Sequence, residues 1–277
     1  MNMNKRTGVV SGFVKAFLWI YSLFIFLLLL YMTYDSFRSR DDILSSTFGG
    51  LGGFITENYK TLFVEDQFYL YFLNSVIILV VSMVLLIFFS SLTAYGIARY
   101  SFRFKKAVRI YFLIGMMFPV QLGIVPIFLM MKQMNLINNL FSVILISAAG
   151  ISMPVFMLTD FFQKLPKEIY EAAIVDGAGE WKTFSRIMFP MAKPVVFSVC
   201  IIVSVQIWNQ FFLPLIFLQT ESLKTIPLVV MEYTSKLIST MDSAMAASVL
   251  STVPILILFI VFSNKIIDGI TSGAVKG

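Results

Sequence analysis

The stretch Tyr170–Pro190, YEAAIVDGAGEWKTFSRIMFP, sets Glu171, Asp176, Glu180, Lys182 and Arg186 into a chain that is otherwise overwhelmingly apolar. Its local reading is a pair of short helices. Pro166-Lys167-Glu168 marks a helix entrance, with Glu168 and Glu171 favouring the positive end of the dipole. Ala172 and Ala173 are strong helix formers whose small side chains let another surface come close. Gly177 and Gly179 admit backbone conformations closed to other residues, so they end that helix sharply. A second helix opens near Glu180, with Trp181, Phe184, Ile187 and Met188 gathered on one face, and Pro190 and Pro194 are expected to stop it. Periodicity alone leaves the element open between a helix lying on a bilayer and a docking element.

The surroundings of this stretch belong in lipid. Of 277 residues, 58% are hydrophobic and only 13% charged, whereas a soluble domain is about 45 to 50% apolar and about 25% charged. Charges mark the edges of spans, because about 20 apolar residues cross a bilayer and an ionised group within it is costly. The uncharged windows predict six helices, with spans at about 16–34, 70–93, 110–131, 140–160, 195–219 and 243–264. Lys5, Arg6 and Lys15 precede the first, which is longer than a signal-peptide core and lacks a clear cleavage site, so it reads as a retained span. Without an internal repeat, residues 1–277 read as one membrane domain, with the polar hairpin at about 165–190 between the fourth and fifth spans.

Lysine and arginine gather on one side: Lys5, Arg6 and Lys15, then Arg99 to Arg109, then Lys164 to Lys193, then Lys265 and Lys276. The positive-inside rule makes that side, and both termini, cytoplasmic. On the other side the loop from Asp35 to Asp66 carries Gly49, Gly50, Gly52 and Gly53, which suggests a flexible turn. The net charge of +6 is explained by this topology, and no nucleic-acid partner is expected.

Several chemistries are missing. The chain has no histidine and one cysteine, Cys200, so histidine acid/base catalysis, a His-Cys metal site and an internal disulfide are excluded; no metal site or catalytic residue is expected. Gly177–Thr183, GAGEWKT, superficially suggests a phosphate-binding loop, but Trp181 stands where the glycine before the lysine is required. No cofactor is expected in this chain. Ion-coupled carriers usually keep an ionisable group at membrane depth, and none lies well inside these windows. Energy is therefore expected from a partner.

Glu171-Ala172-Ala173, Asp176-Gly177-Ala178, Phe184, Ile187, Pro190 and Pro194 together resemble the EAA loop of bacterial ABC importer permeases. Phe189 departs mildly from that pattern, where leucine is commoner. The flanks are similar to the maltose-type carbohydrate permease family. They include Asn74-Ser75, Ala94-Tyr95-Gly96-Ile97-Ala98-Arg99-Tyr100 with Phe102, Met117-Phe118-Pro119 with Pro126, Trp208-Asn209 and the tail Gly273–Gly277. The likeness runs from about Asn58 onward. It implies an all-α integral membrane protein of the type I importer fold, six transmembrane helices with an EAA coupling helix-turn-helix, multi-pass in the bacterial cytoplasmic membrane.

The resemblance further implies a heterodimer with a second homologous permease, two ABC ATPase subunits binding ATP and Mg, and an extracytoplasmic solute-binding protein delivering a carbohydrate, of di- or oligosaccharide size. Glu171 would face basic groups of the ATPase, Ala172 and Ala173 would allow close seating, and Gly177 would make the turn that Asp176 caps. Ala178, Ile187 and Pro190 complete the coupling set. Ala173 and Gly177 are equally explained by local folding. Gln121, Gln206, Trp208, Asn209 and Gln210 are polar or amphipathic groups in apolar windows, suited to a sugar path or to interhelical hydrogen bonds. Pro119, Pro126, Pro154, Pro214 and Pro254 stand for gating kinks or packed bends. The competing readings are a permease for another small solute, such as a glycerol phosphodiester, a stand-alone channel or ion-coupled carrier, and a membrane scaffold.

Overall fold

The computed structural model describes the backbone of residues 3–46, 54–236 and 240–274, and side chains within those bounds except 3–11, 13 and 263–274. All regular structure among the described residues is helical. In chain order the helices are α1 Met3–Asp35, α2 Arg40–Ser45, α3 Glu57–Lys60, α4 Phe68–Arg99, α5 Lys105–Gly115, α6 Ile124–Gln133, α7 Leu140–Ala148 and α8 Ser152–Lys164. They continue as α9 Lys167–Val175, α10 Glu180–Thr183, α11 Phe189–Met191, α12 Lys193–Trp208, α13 Phe212–Phe217, α14 Ile226–Ser235 and α15 Met241–Ala274. Among the described residues, four stretches are long and apolar enough to cross a membrane, and two bent helix pairs raise this to as many as six.

Three expected spans are not single helices. The span at 140–160 is α7 and α8, interrupted at residues 149–151 yet still one run apolar enough to cross. Within 110–131 the chain breaks between α5 and a 3-10 turn at Val120–Gly123, and the two arms meet at 96°. Pro119 causes the break: it has no N–H for a helical bond and holds an extended backbone, φ −69° and ψ 137°. Within 195–219, α12 stops at Trp208 and α13 begins at Phe212. Here side-chain amides compete with the helix. Asn209 Nδ2 donates to the Val205 carbonyl at 2.8 Å, and Gln210 Oε1 accepts from the Phe212 N–H at 3.1 Å. The remaining prolines are mostly harmless, because Pro126, Pro154 and Pro214 each occupy the third residue of a helix, where an N–H has no partner to lose. Pro254 alone among these lies inside a long helix, α15.

The chain divides into two compact units. The first comprises residues 1–68 and 230–253. Its polar centre is a buried ion pair, Arg38 to Asp35 at 2.9 Å. Arg38 also donates to the Asp42 and Ser46 carbonyls, and Asn58 Nδ2 donates to the Ser36 and Arg38 carbonyls. Every one of these charges and amides is matched, as burial requires. The glycines at 49, 50, 52 and 53, expected as a flexible turn, lie outside the described residues, as do 275–277 of the tail. The side chains of α1 from Val14 to Leu30 are largely exposed, as lipid-facing apolar residues are.

The second unit comprises residues 69–229 and 254–277. One core cluster joins Ile78 of α4 to Met131, Val143, Ile144, Leu213 and Phe217, and another joins Ala94 and Tyr95 to Leu158, Phe162, Phe184, Met188 and Ala192. The Asn74-Ser75 pair fixes α4 against the 221–226 segment. Asn74 Nδ2 donates to the Ser222 and Lys224 carbonyls at 2.8 and 2.9 Å, and Ser75 Oγ accepts from the Ile226 N–H at 3.0 Å. Losing Asn74 strands two carbonyls near the start of a span. Asn74→Ala is expected to cost about 2 kcal/mol, read as a lower unfolding temperature in detergent, while Ser222→Ala, which keeps its backbone acceptor, changes it little.

Candidate coupling loop and solute groove

Leu165 and Pro166 are extended, which ends α8 and turns the chain into α9. The exit from α9 is a Schellman motif. The Ala178 N–H donates to the Ala173 carbonyl at 3.0 Å and the Gly177 N–H to the Ile174 carbonyl at 2.9 Å, closing two otherwise orphaned acceptors. Gly177 sits in the left-handed region at φ +75°. A Cβ there meets nothing within 4 Å, so backbone conformation, not crowding, requires glycine. The D-G-A spacing at 176–178 is thus the spelling of a helix stop.

Beyond α10 the chain winds as a π-turn over Phe184–Met188, with the Phe189 N–H reaching back five residues to the Phe184 carbonyl. Pro190 was expected to stop this helix, yet the chain stays helical through Met191 and breaks only at Ala192, with a 72° bend. The wider π spacing accommodates a residue that cannot donate. Helix-breaking passes to the Ala192-Lys193-Pro194 step.

The loop presents two faces. Glu171, Ala172, Asp176 and Gly177 are exposed and Ala178 is half-buried, whereas Ala173 is 4% exposed and turned into the chain's own body. Ile187 packs against the Tyr95–Phe162–Phe184 cluster, and Pro190 is half-buried. Of the eight residues named for coupling, Ala173 and Ile187 therefore face inward, while Ala178 and Pro190 are half-buried. The outward face carries apolar residues absent from that set: Val175 is 87% exposed, with Ile174 and Trp181 also exposed. Their exposure depends on the pitch of α9 and α10, which the sequence pattern does not fix to a single face.

A second group missing from the expected set holds the hairpin to α4. Tyr95, near the end of α4, donates to Glu180 Oε2 at 3.2 Å, and Tyr170 donates to Glu180 Oε1. Arg99 stacks over the Tyr170 ring, its guanidinium carbon 3.2 Å from the centroid. The motif Ala94–Tyr100 is thereby the anchor of the hairpin. Hydrogen bonds, Tyr170 foremost, hold the Glu180 carboxyl below the usual glutamate range, although partial burial opposes this. Burial and the same carboxylate push the Tyr100 hydroxyl up to about 12.

A depressed carboxyl pKa stabilises the fold above the unfolded-state value, and that contribution is lost as pH falls through the folded-state value. The hairpin is expected to loosen in acid, below the ordinary glutamate range, and to be indifferent to Glu180 ionisation between pH 6 and 8. Unfolding temperature followed against pH checks this: Glu180→Gln should remove the acid-side fall attributable to this group.

On the same unit an open groove of about 1210 Å³ lies among α5, α6, α8 and α12. Gln121, Gln206, Asn209 and Gln210 all line it, together with Ser147, Ser152 and a largely apolar wall. Trp208 stands apart. It is 3% exposed and meets the Phe72 ring edge-on at 5.9 Å, so its indole is core packing, not groove lining. No Lys, Arg, Asp or Glu lines the groove among the described residues.

Residues 86–272 match the family described as binding-protein-dependent transport system inner membrane component. The chain is 33% identical over 276 residues to the diacetylchitobiose uptake system permease protein NgcG of Streptomyces coelicolor, covering 99% of this chain and 90% of that one. It is 34% identical over 208 residues to the melibiose/raffinose/stachyose import permease protein MelC of Bacillus subtilis, covering 74% and 75% respectively. The fold is shared with a bacterial ABC transporter involved in import of the acidic polysaccharide alginate, at a TM-score of 0.76 and 21% identity over 95% of this chain and 98% of that one. The chain belongs to the binding-protein-dependent inner membrane component family: it is a multi-pass permease, the transport component of an ABC transport system.

Proposed function

We propose that this chain is one half of the membrane pathway of a carbohydrate importer, taking up a neutral di- or oligosaccharide. The observation that carries the substrate class is the groove: four amide side chains and two serines set in an apolar wall, with no ionic group. Amides bond sugar hydroxyls in both directions, and apolar walls receive the faces of sugar rings. A glycerol phosphodiester would call for a cation at that depth. The names of the relatives from Streptomyces and Bacillus, both oligosaccharide systems, point the same way.

In this reading a second homologous permease faces the groove, two ATPase subunits bind ATP and Mg, and an external solute-binding protein delivers the sugar. The basic side of the chain and both termini face the cytoplasm. Glu171, Ala172, Asp176, Gly177 and Ala178 then form the contact surface for the ATPase, extended by Ile174, Val175 and Trp181. Ala173, Ile187 and Pro190 hold the loop to the spans. Closure of the ATPase pair moves the hairpin, and the Glu180–tyrosine anchor passes that movement to α4.

Binding-protein-stimulated uptake by the reconstituted complex tests the substrate class. Gln121→Ala with Gln206→Ala should lower uptake of the cognate oligosaccharide and leave ATPase association unchanged. Uptake unaffected by losing both amides would remove the groove from the path.

A further inference from the structure

At the end of α4 that carries Arg99 there is a second recess, of about 320 Å³. Arg99, Lys105 and Lys167 line it, with Ser101 and Gln163 as further polar groups, and Phe162 and Met188 contribute to an apolar floor. Arg99 stacks on Tyr170, and Lys105 Nζ donates to the Ala98 and Tyr100 carbonyls at 3.2 and 3.0 Å. None of the three cations makes an ion pair among the described residues. No carboxylate lines the recess, and Glu180 close by accepts hydrogen bonds from Tyr95 and Tyr170. Lys105 and Lys167 are thus left without an ion pair, and Arg99, within electrostatic reach of Glu180, adds a third positive charge to the same concavity.

We propose that this recess binds a phosphate-bearing anion, either a phospholipid headgroup or free phosphate. Three cations suit a phosphate with several acceptor oxygens better than a single carboxylate, which would neutralise only one of them. An apolar floor beside a basic rim, at the end of a membrane-spanning helix, is the arrangement that receives an anionic headgroup with its glycerol and first methylenes. Tyr170 forms part of the wall, so occupancy bears on the seat of the hairpin. The inference goes beyond the importer reading and rests on it only for which leaflet the recess faces.

Native mass spectrometry of the full-length chain in neutral detergent, titrated with phosphatidylglycerol or phosphatidylcholine and competed with inorganic phosphate, reads the site. Preferential retention of one phosphatidylglycerol is expected, weakened about fivefold by Lys105→Gln or Lys167→Gln. Lys105→Arg and Lys167→Arg should retain it, and Arg103→Gln, outside the recess, should leave it unchanged. If phosphate does not displace the lipid, a headgroup is the ligand. If phosphate binds with the same variant dependence and no lipid preference appears, free phosphate is the ligand. Absence of preference for either, or equal weakening by Arg103→Gln, overturns the site; so does loss on lysine-to-arginine exchange. The measurement needs neither ATPase nor sugar, so its failure leaves the importer reading standing, and failure of uptake leaves this site standing.

Discussion

Gly177→Pro is expected to reduce ATP-driven uptake to background while membrane insertion stays normal. The native φ of +75° is out of reach of a proline ring, which holds φ near −65°. The substitution also removes the N–H that donates to the Ile174 carbonyl at 2.9 Å. Together these amount to about 3 kcal/mol or more against the native turn. That is enough to swing α10 away from the end of α9 and to break the outward face of the hairpin. Gly177→Ala meets no side chain or backbone atom within 4 Å and carries only the left-handed strain, about 1 to 2 kcal/mol; Gly177→Asn carries less. The predicted order of uptake is glycine, asparagine, alanine, proline. Co-purification of the ATPase with each variant should follow that order. Intact uptake with proline at 177 would show that the turn has no part in coupling.

Phe184→Ala is expected to have the largest effect on stability. Phe184 is buried at the centre of an aromatic group, with ring centroids 5.2 Å from Tyr95, 5.8 Å from Trp181 and 5.7 Å from Phe189. Truncation removes the transfer energy of the ring and leaves a cavity, about 3 to 5 kcal/mol in total. The loss falls on the contact between the hairpin and α4. Unfolding in detergent should shift strongly, and the ATPase should detach at lower temperature. Phe184→Leu, which keeps most of the volume, should recover more than half of the loss. By contrast, truncation of exposed Val175 should leave unfolding unchanged and weaken only ATPase association. The two variants thus separate the inward and outward faces of one loop.

Much of this architecture is legible in the sequence where the physics is local. Long uncharged windows mark apolar helices because ionised groups are expelled from hydrocarbon. The D-G-A run at 176–178 signals a helix stop because left-handed backbone favours glycine. What sequence windows miss is direction. The stretch 110–131 is apolar throughout, and hydropathy does not register that Pro119 turns the chain through 96°. Likewise, Asn209 and Gln210 count as polar residues inside a span, while their side chains in fact cap and divide it. Trp208 and the nearby amides are neighbours in sequence but are packed in different places, the indole in the core and the amides on the groove.

The anchor at Glu180 was hidden for another reason. Tyr95 and Glu180 are 85 residues apart, and no spacing rule links a tyrosine at the end of one span to a glutamate opening a later helix. Only the resemblance marked Ala94–Tyr100 as notable, and it did not say why. The structure supplies the reason: this segment carries the Tyr95 hydroxyl and the Arg99 guanidinium that grip the hairpin.

In the proposed function this chain supplies part of a path and receives work from a partner ATPase. Solute flux in proteoliposomes tests it most directly, comparing this chain alone with the complex of both permeases, the ATPase and the binding protein. The account predicts no flux from the chain alone and ATP-dependent oligosaccharide flux from the full complex. Flux by the isolated chain, or flux in the complex that is indifferent to ATP, would contradict it.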